Sequence, residues 1–156
     1  MSEKTTTMSM KQLSRAQCME LVGSVPVGRV GTTSGALPVV LPVNFTLLDG
    51  NVIFRTVPGT KLDAAVTGMV VAFECDCYET NGLSGWSVLM QGIASEISDR
   101  SLLERLRAIP LASWALDRSA DRVVSIEPAM VSGRSFLRPD TSDANTASEH
   151  PQRVLS

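Results

Sequence analysis

Residues 44–65 read NFTLLDGNVIFRTVPGTKLDAA, and this stretch decides the fold prediction. Asp49-Gly50 lies between two apolar runs, and this dipeptide is typical of the two-residue turn of a β-hairpin because it tolerates positive φ. Pro58-Gly59 then ends the second strand. Thr60, with Asp63 three residues later, predicts the start of a short helix. The stretch therefore predicts two antiparallel strands followed by a basic, hydroxyl-rich turn.

The turn after this hairpin collects side chains that suit a phosphate. Arg55 and Thr56 end the second strand, and Thr60 and Lys61 open the helix. A phosphate monoester carries nearly two negative charges, and a guanidinium, an ammonium, hydroxyls and the N–H groups of a first helical turn can all donate to it. These four residues are predicted to bind a phosphate. Ordinary solvated charges at a hairpin end are the alternative interpretation.

The rest of the chain reads mostly as strands with short helices between them. Ser14, with Gln17 as its capping-box partner, predicts a first helix that ends near Gly23, and further helices are predicted at 60–67 and 99–107. Six strands are predicted, at 27–33, 37–48, 51–57, 69–78, 86–98 and 122–137. Six strands in hairpin order favour a mainly β fold with short helices, arranged as a closed or nearly closed antiparallel barrel.

The two ends of the chain differ from its middle. Residues 1–10 and 139–156 are polar and lack hydrophobic periodicity, so both are predicted to be disordered. Residues 11–138 are predicted to form one domain, since a chain of 156 residues with 44% hydrophobic residues has room for one sizeable core.

Composition excludes several classes of function. The net charge of −2 does not favour nucleic acid or an anionic membrane as a partner, and the N-terminal residues lack the apolar core of a signal peptide, which favours a cytoplasmic location. Cys75 and Cys77 alternate along a strand and are both predicted to point into the core. His150 is the one histidine, so no metal site is expected.

Several short motifs, taken in order, carry a resemblance to a known family. They are VGRV at 27–30, PVNF at 42–45, FRT at 54–56 with GTK at 59–61, VAFE at 71–74, GWSV at 85–88, Gly92, and SGR at 132–134. Together they resemble the pyridoxamine 5'-phosphate oxidase-like FMN-binding split barrels, in particular the small actinobacterial flavin and deazaflavin oxidoreductases. The resemblance implies a six-stranded antiparallel split β-barrel, and a homodimer that holds FMN at the subunit interface.

The resemblance also implies a strand that runs along the cofactor. In these barrels the strand Val43-Asn44-Phe45 passes beside the flavin, and the Asn44 amide could bond its polar ring edge. An asparagine in an apolar strand needs a partner when it is buried, so a neighbouring backbone group is the alternative to a ligand.

Two later strands supply the remaining residues that the resemblance marks. Ser87, five residues before Gly92, corresponds to a position beside the flavin ring, and Trp86 would border the cofactor or pack in the core or the dimer interface. Arg134 matches a late-strand position that reaches cofactor or substrate, with a plain surface charge as the alternative.

The activity implied by the resemblance is flavin-mediated transfer of a hydride or electrons to an unidentified small molecule. The sequence identifies no catalytic acid or base, and it leaves turnover itself open. A P-loop is excluded because the GxxxxGK[ST] spacing is missing. Two alternatives are a reductase that uses the 8-hydroxy-5-deazaflavin coenzyme and a non-catalytic flavin- or haem-binding carrier or sensor.

Overall fold

The computed structural model describes residues 8–110 and 122–137. Within these ranges it contains seven strands and three helices. The strands are β1 (Ser9–Gln12), β2 (Val27–Ser34), β3 (Leu37–Leu48), β4 (Asn51–Thr56), β5 (Val70–Tyr78), β6 (Ser84–Glu96) and β7 (Arg122–Leu137). The helices are α1 (Arg15–Val22), α2 (Lys61–Val66) and α3 (Arg100–Arg107).

Six of the strands close into a ring. The antiparallel order is β7-β4-β3-β2-β5-β6, and β6 pairs with β7 to complete the circle. Strand β7 has 16 residues and pairs with three other strands. On one side, residues 122–126 pair with β4 and residues 134–137 pair with β1. On the other side, β6 pairs with almost the whole length of β7. The predicted antiparallel split barrel is therefore confirmed, with one strand more than the sequence analysis expected.

The hairpin that anchored the prediction has the expected turn. Asp49 and Gly50 have φ values of 51° and 80°, and Leu48 lies opposite Asn51. Positive φ at both central residues matches the right-handed twist of the flanking strands, which is why this dipeptide is favoured there. The β3–β4 pair therefore follows from local sequence.

A β-bulge bends the long β6–β7 pair. The register shifts between Gln91 and Gly92, where Gly92 lies opposite Pro128. A Cβ atom on Gly92 would collide with the Glu127 carbonyl, so only glycine fits this close approach. Such a bulge lets two long strands coil around a small barrel.

The barrel interior and one outer surface hold separate apolar clusters. The inner cluster is built by alternate residues of the strands and is covered by α1 through Cys18 and by α2 through Val66, both fully buried. The second cluster lies outside β4 and β7, where Leu106 of α3 packs on Ile53 and Val123. The two clusters therefore bury opposite faces of β4.

Two sequence predictions need correction. Ser9 and Met10 belong to β1 and are not disordered, because they pair with Leu137 and Phe136 at the end of β7. Cys77 is exposed although Cys75 is buried, since β5 runs past the end of the core. The predicted disorder of residues 1–7 and of the tail 139–156 lies outside the described residues.

Candidate functional site

Two groups of polar side chains lie on the barrel, and each includes an arginine of β7. Three of the predicted site residues, Thr56, Ser87 and Arg134, belong to them. The first group surrounds a buried carboxylate, Asp63, which the sequence analysis had treated only as part of a helix cap. The second group lies on the outer surface of β6 and β7. We call them the Asp63 corner and the Ser87 groove.

The Asp63 corner consists of Thr56, Gly59, Asp63 and Arg122. Asp63 has only 5% of its surface exposed. Its Oδ1 accepts the Thr56 hydroxyl at 3.1 Å, and its Oδ2 accepts the Gly59 amide at 3.0 Å. Arg122 Nη1 donates to both oxygens at 3.2 Å. The carboxylate thus ties together the end of β4, the loop 57–60 and the start of β7.

The hydroxyls predicted to hold a phosphate are already used inside the protein. Thr56 is buried and donates its one hydroxyl proton to Asp63. Thr60 donates its proton to the Val57 carbonyl at 2.8 Å and accepts the Asp63 amide at 3.2 Å. A hydroxyl has a single proton to donate, so in this arrangement neither threonine can donate to a ligand. Both residues shape the loop instead.

Arg55 lies on the opposite face of β4 from Thr56, because side chains alternate along a strand. Its Nη2 lies 3.5 Å from the Leu106 carbonyl at the C-terminal end of α3. That separation is at the limit for a hydrogen bond, so within residues 8–110 and 122–137 most N–H groups of the guanidinium have no acceptor. Lys61 is the first residue of α2. Arg55 and Thr56 therefore do not meet on a single face of β4, as the sequence analysis expected.

Sequence reasoning missed the roles of Asp63 and Arg122. Asp63 stands three residues after the N-cap Thr60, which suggests a capping partner, yet its side chain accepts the Gly59 amide one residue further back. A charged residue among the apolar residues of LDAAV was the signal that it is buried with partners. Arg122 is 59 positions away along the chain, and nothing local to it indicated the contact.

The Ser87 groove brings two predicted residues together. Ser87 and Arg134 are direct partners across β6 and β7. They line a shallow concavity of about 210 Å³ together with Leu89, Ser132 and Gly133. Serine supplies one donor and arginine up to five, so the groove can hold the polar edge of a flat ligand.

Charged residues on β2 and β5 border this groove. Asp76 lies opposite Ser87 on the other side of β6. Arg29 Nη1 contacts Glu74 at 3.0 Å and Asp76 at 3.5 Å. Partial burial raises the pKa of Glu74, repulsion from Asp76 adds to the rise, and the Arg29 contact opposes it. These acids face outward, as the alternation of β5 predicts.

The other predicted residues divide between two faces. Val43 and Phe45 are buried in the barrel, where the Phe45 ring packs edge-on against Phe73 at 4.7 Å between centroids. Trp86 also packs against the inner cluster, on the opposite face of β6 from Ser87. Asn44 lies on the outer face of β3, half-buried and already engaged within the protein. Asn44 and Ser87 can therefore meet a ligand on the outer surface, whereas Val43, Phe45 and Trp86 could offer it only backbone or edge contacts.

The outer surface beside the groove is unusually apolar. One cross-strand row runs Val40, Gly31, Ala72, Gln91 and Met130 through five neighbouring strands. Val40 and Met130 are each 66% exposed, and Val70 and Ile93 form an exposed pair in the next row. We call this surface the apolar row.

The corner and the groove are far apart along β7. Arg122 and Arg134 are separated by 134 − 122 = 12 residues, which corresponds to about 40 Å of strand path at ~3.3 Å per residue. The groove therefore lies toward the other end of the strand from the corner within one chain.

A further concavity lies outside these two groups. It has a volume of about 510 Å³ beside α3 and is lined by Ser98, Arg100, Leu103, Glu104 and Arg107, none of which is a predicted site residue. In residues 8–110 and 122–137, no three His, Cys, Asp or Glu side chains group closely enough to hold a metal ion. No helix in the same ranges is long and apolar enough to span a membrane.

Comparison with known proteins places this geometry in context. A family model described as pyridoxamine 5'-phosphate oxidase matches residues 14–135. An uncharacterised protein of Mycobacterium tuberculosis is 40% identical over 127 residues, which cover 78% of this chain and 82% of that relative.

Solved structures agree with that match. The FAD binding protein from Mycobacterium smegmatis superposes with a TM-score of 0.71 at 32% identity, over 81% of this chain and 99% of that one. An FAD-binding protein from Mesorhizobium loti has a TM-score of 0.63 at 20% identity, over 83% and 98% of the two chains. At 20% identity this second likeness shows the fold alone.

Proposed function

Because the chain belongs to the pyridoxamine 5'-phosphate oxidase family, we propose that it binds FMN between two copies of itself and uses the flavin as a redox cofactor. The FAD bound by the 32% identical M. smegmatis protein supports a flavin ligand. The observation that carries the proposal is the pairing of Ser87 with Arg134 in an open groove beside the apolar row.

The phosphate end of the cofactor is assigned to Arg55 and Lys61. Among the residues that the structure describes, Arg55 has one long hydrogen bond, to the Leu106 carbonyl, and an anionic phosphate is a stronger partner for a guanidinium than a peptide carbonyl. Lys61 follows directly on the loop that the Asp63 corner holds in place. In this proposal Thr56 and Thr60 shape the loop and do not contact the phosphate.

The ring end of the cofactor is assigned to Ser87, Arg134 and Asn44, all on the outer face of the barrel. Hydroxyl, guanidinium and amide groups match the carbonyl and N–H groups along the polar edge of a flavin ring. Bound flavin supplies hydride or electron transfer, and the protein supplies binding, orientation and electrostatics. No side chain is assigned here as an acid or base.

The distance between these two ends supports the proposed dimer. A phosphate site near the start of β7 and a ring site near its end are separated by about 40 Å of strand path in one chain. Two chains related by a two-fold axis can bring the ends of different copies together, since an isologous interface presents each surface twice. Burial of the exposed Val40 and Met130 would stabilise such a pair.

Absorption and binding measurements test the cofactor. The freshly purified protein should show a flavin spectrum, and mass spectrometry of the released molecule should distinguish FMN from FAD and from a deazaflavin. Arg55→Ala or Lys61→Ala should weaken FMN binding about 10- to 100-fold, the effect of losing one charge-assisted hydrogen bond. Riboflavin affinity should change little, because riboflavin lacks the phosphate.

Arg100→Ala is a matched control, since Arg100 is an exposed cation at the far end of α3 from Leu106. It should leave the affinities for FMN and riboflavin unchanged. Equal losses for both ligands in Arg55→Ala would mean that Arg55 supports the fold instead. Unchanged FMN affinity in both site variants would remove the phosphate from this position.

Light scattering tests the dimer. The protein with flavin bound should have twice the mass of the chain at micromolar concentration. Val40→Glu should convert it to a monomer and release the flavin, because a charge cannot be buried unpaired in an apolar interface. Met10→Glu on the exposed edge strand β1 is the control and should leave the dimer intact. A flavin-loaded monomer would contradict the proposal.

Reduction by NADH or NADPH separates an enzyme from a carrier. Bleaching of the flavin absorbance under anaerobic conditions, followed by recovery when an oxidised acceptor is added, would support redox turnover. A flavin that dithionite reduces but that stays oxidised with both NADH and NADPH would favour a carrier or sensor.

A further inference from the structure

We infer that Asp63 is a positioning residue for the cofactor phosphate: it holds in one shape the loop 57–60, which connects the end of β4, where Arg55 lies, to Lys61 at the start of α2. This inference rests on the proposed function. It adds a residue that the family resemblance did not mark, and it assigns that residue an indirect role, since a buried carboxylate cannot itself contact a phosphate favourably.

The loop 57–60 is short, and the corner controls its shape. Gly59 has a φ of 80°, a conformation that residues with a Cβ rarely adopt. In that conformation the Gly59 amide points to Asp63 Oδ2 at 3.0 Å. The bond therefore favours one unusual loop shape over the many others that a glycine allows.

The same carboxylate fixes the loop relative to the barrel. Thr56, at the end of β4, donates to Asp63 on the barrel side, and Arg122 donates from the start of β7. Without this acceptor, the loop would keep the Thr60 amide bond to the Val57 carbonyl at 3.2 Å and the Thr60 cap of α2. These remaining bonds define the turn itself but do not connect it to β7.

Charge in the corner is arranged to leave the outer cation available. Asp63 is almost fully buried and is paired with Arg122, so its negative charge is compensated locally. Arg55 is on the other face of β4 and contacts only a carbonyl among the described residues. The carboxylate therefore organises the loop without neutralising the cation assigned to the ligand.

Asp63→Asn tests the inference in the full-length protein. Asparagine keeps the size of the side chain and one acceptor oxygen but removes the charge and one acceptor. In the ligand-free variant, hydrogen exchange of the Gly59 amide measured by NMR should become at least tenfold faster, because its acceptor is weakened. FMN affinity should fall about tenfold, the size expected when one charge-assisted bond is misplaced, while riboflavin affinity stays within twofold.

Asp99→Asn is the matched control. Asp99 is the N-cap of α3 and accepts the Leu102 amide at 2.9 Å, so it is also a capping aspartate, and among the described residues it is not hydrogen-bonded to the corner. It should change neither Gly59 exchange nor FMN affinity. A change of the same size in this variant would overturn the inference, because any loosened helix cap would then produce the effect.

Three outcomes of Asp63→Asn overturn the positioning role. They are unchanged Gly59 exchange, unchanged FMN affinity with a faster-exchanging Gly59, and equal losses for FMN and riboflavin. If the phosphate lies elsewhere, Arg55→Ala and Lys61→Ala both leave FMN affinity unchanged, which identifies a failure of the proposed function and not of the loop contact. Gly59 exchange in the ligand-free protein then still decides whether Asp63 orders the loop.

Arg122→Gln provides a second variant should Asp63→Asn fail to fold. Arg122 is 41% exposed in its side chain, and glutamine keeps an N–H donor within reach of the carboxylate. In Arg122→Gln the Gly59 amide should exchange faster and FMN affinity should fall, each by less than in Asp63→Asn. Wild-type values for both measurements would overturn the inference.

Discussion

The Asp63 corner and the Ser87 groove each contain an arginine of β7, but the two arginines have different surroundings. Arg122 donates to a carboxylate that is almost fully buried. Arg134 lies exposed beside Ser87, and within residues 8–110 and 122–137 it forms no ion pair. The same residue type thus pairs with a buried acid at one end of the strand and lies exposed at the other.

The largest expected effect comes from comparing these two arginines. Arg122→Ala should lower the free energy of unfolding by about 1–3 kcal/mol, because it leaves the buried Asp63 carboxylate with fewer hydrogen-bond donors. The loss should stay below the roughly 3–5 kcal/mol expected for a fully buried ion pair, because the Arg122 side chain is 41% exposed. Arg134→Ala should change it by less than ~0.5 kcal/mol. Urea unfolding measures both.

The effects of the two variants on flavin binding should be in the opposite order to their effects on stability, with the larger loss of affinity in Arg134→Ala. Arg134→Ala should weaken binding of both FMN and riboflavin, because Arg134 is assigned to the ring end that both ligands share. Equal stability losses in the two variants would contradict the division between a structural corner and a binding groove.

A smaller effect is expected from the two hydroxyls. Thr56→Val removes a buried donor to Asp63 and should cost about 1–2 kcal/mol of stability, since the carboxylate loses a hydrogen bond that water cannot replace. Ser87→Ala should leave stability unchanged within ~0.5 kcal/mol and weaken flavin binding. Thermal unfolding with and without FMN separates the two, and a stability loss in Ser87→Ala would show that the groove hydroxyl is structural.

The smallest effect concerns the acids that border the groove. The pKa of Glu74 is raised in the folded chain, chiefly by burial. The folded protein therefore binds this proton more tightly than the unfolded chain does, so ionisation of Glu74 reduces stability as the pH rises from the ordinary value of 4.5 through the raised one.

Glu74→Gln removes this ionisation. The stability of the variant relative to wild type should therefore increase between pH 4 and pH 7, as measured by urea unfolding at several pH values. A relative stability that falls with pH would mean that the Arg29 contact outweighs burial.

Local patterns were sufficient for most of the secondary structure. The Asp49-Gly50 turn and the Ser14–Gln17 capping box are present as predicted, with Ser14 Oγ accepting the Gln17 amide at 3.2 Å. These features depend on residues within a few positions of each other, so sequence alone can identify them. The strand β1 was missed because its four residues are all exposed and show no apolar alternation.

The candidate site was predicted less completely, because residue type does not reveal which face a side chain takes. Arg55 and Thr56 were expected to converge on one anion, but adjacent residues of a strand point to opposite faces. The same alternation separates Trp86 from Ser87. The sequence predicts that side chains alternate between the two faces of a strand. It does not show which of the two faces is buried in the core.

The sequence by itself determined six of the seven described strands, the Asp49-Gly50 turn, the helix caps and the family, since each depends on short-range chemistry or on an ordered set of motifs. Only the tertiary structure decided that Asp63 meets Arg122 across 59 positions and that Ser87 meets Arg134 across the β6–β7 pair. Those contacts depend on the register of a closed ring, and a single bulge at Gly92 shifts that register. Register is a property of the whole barrel, because every strand must satisfy two neighbours at once, and no local segment of the chain specifies it.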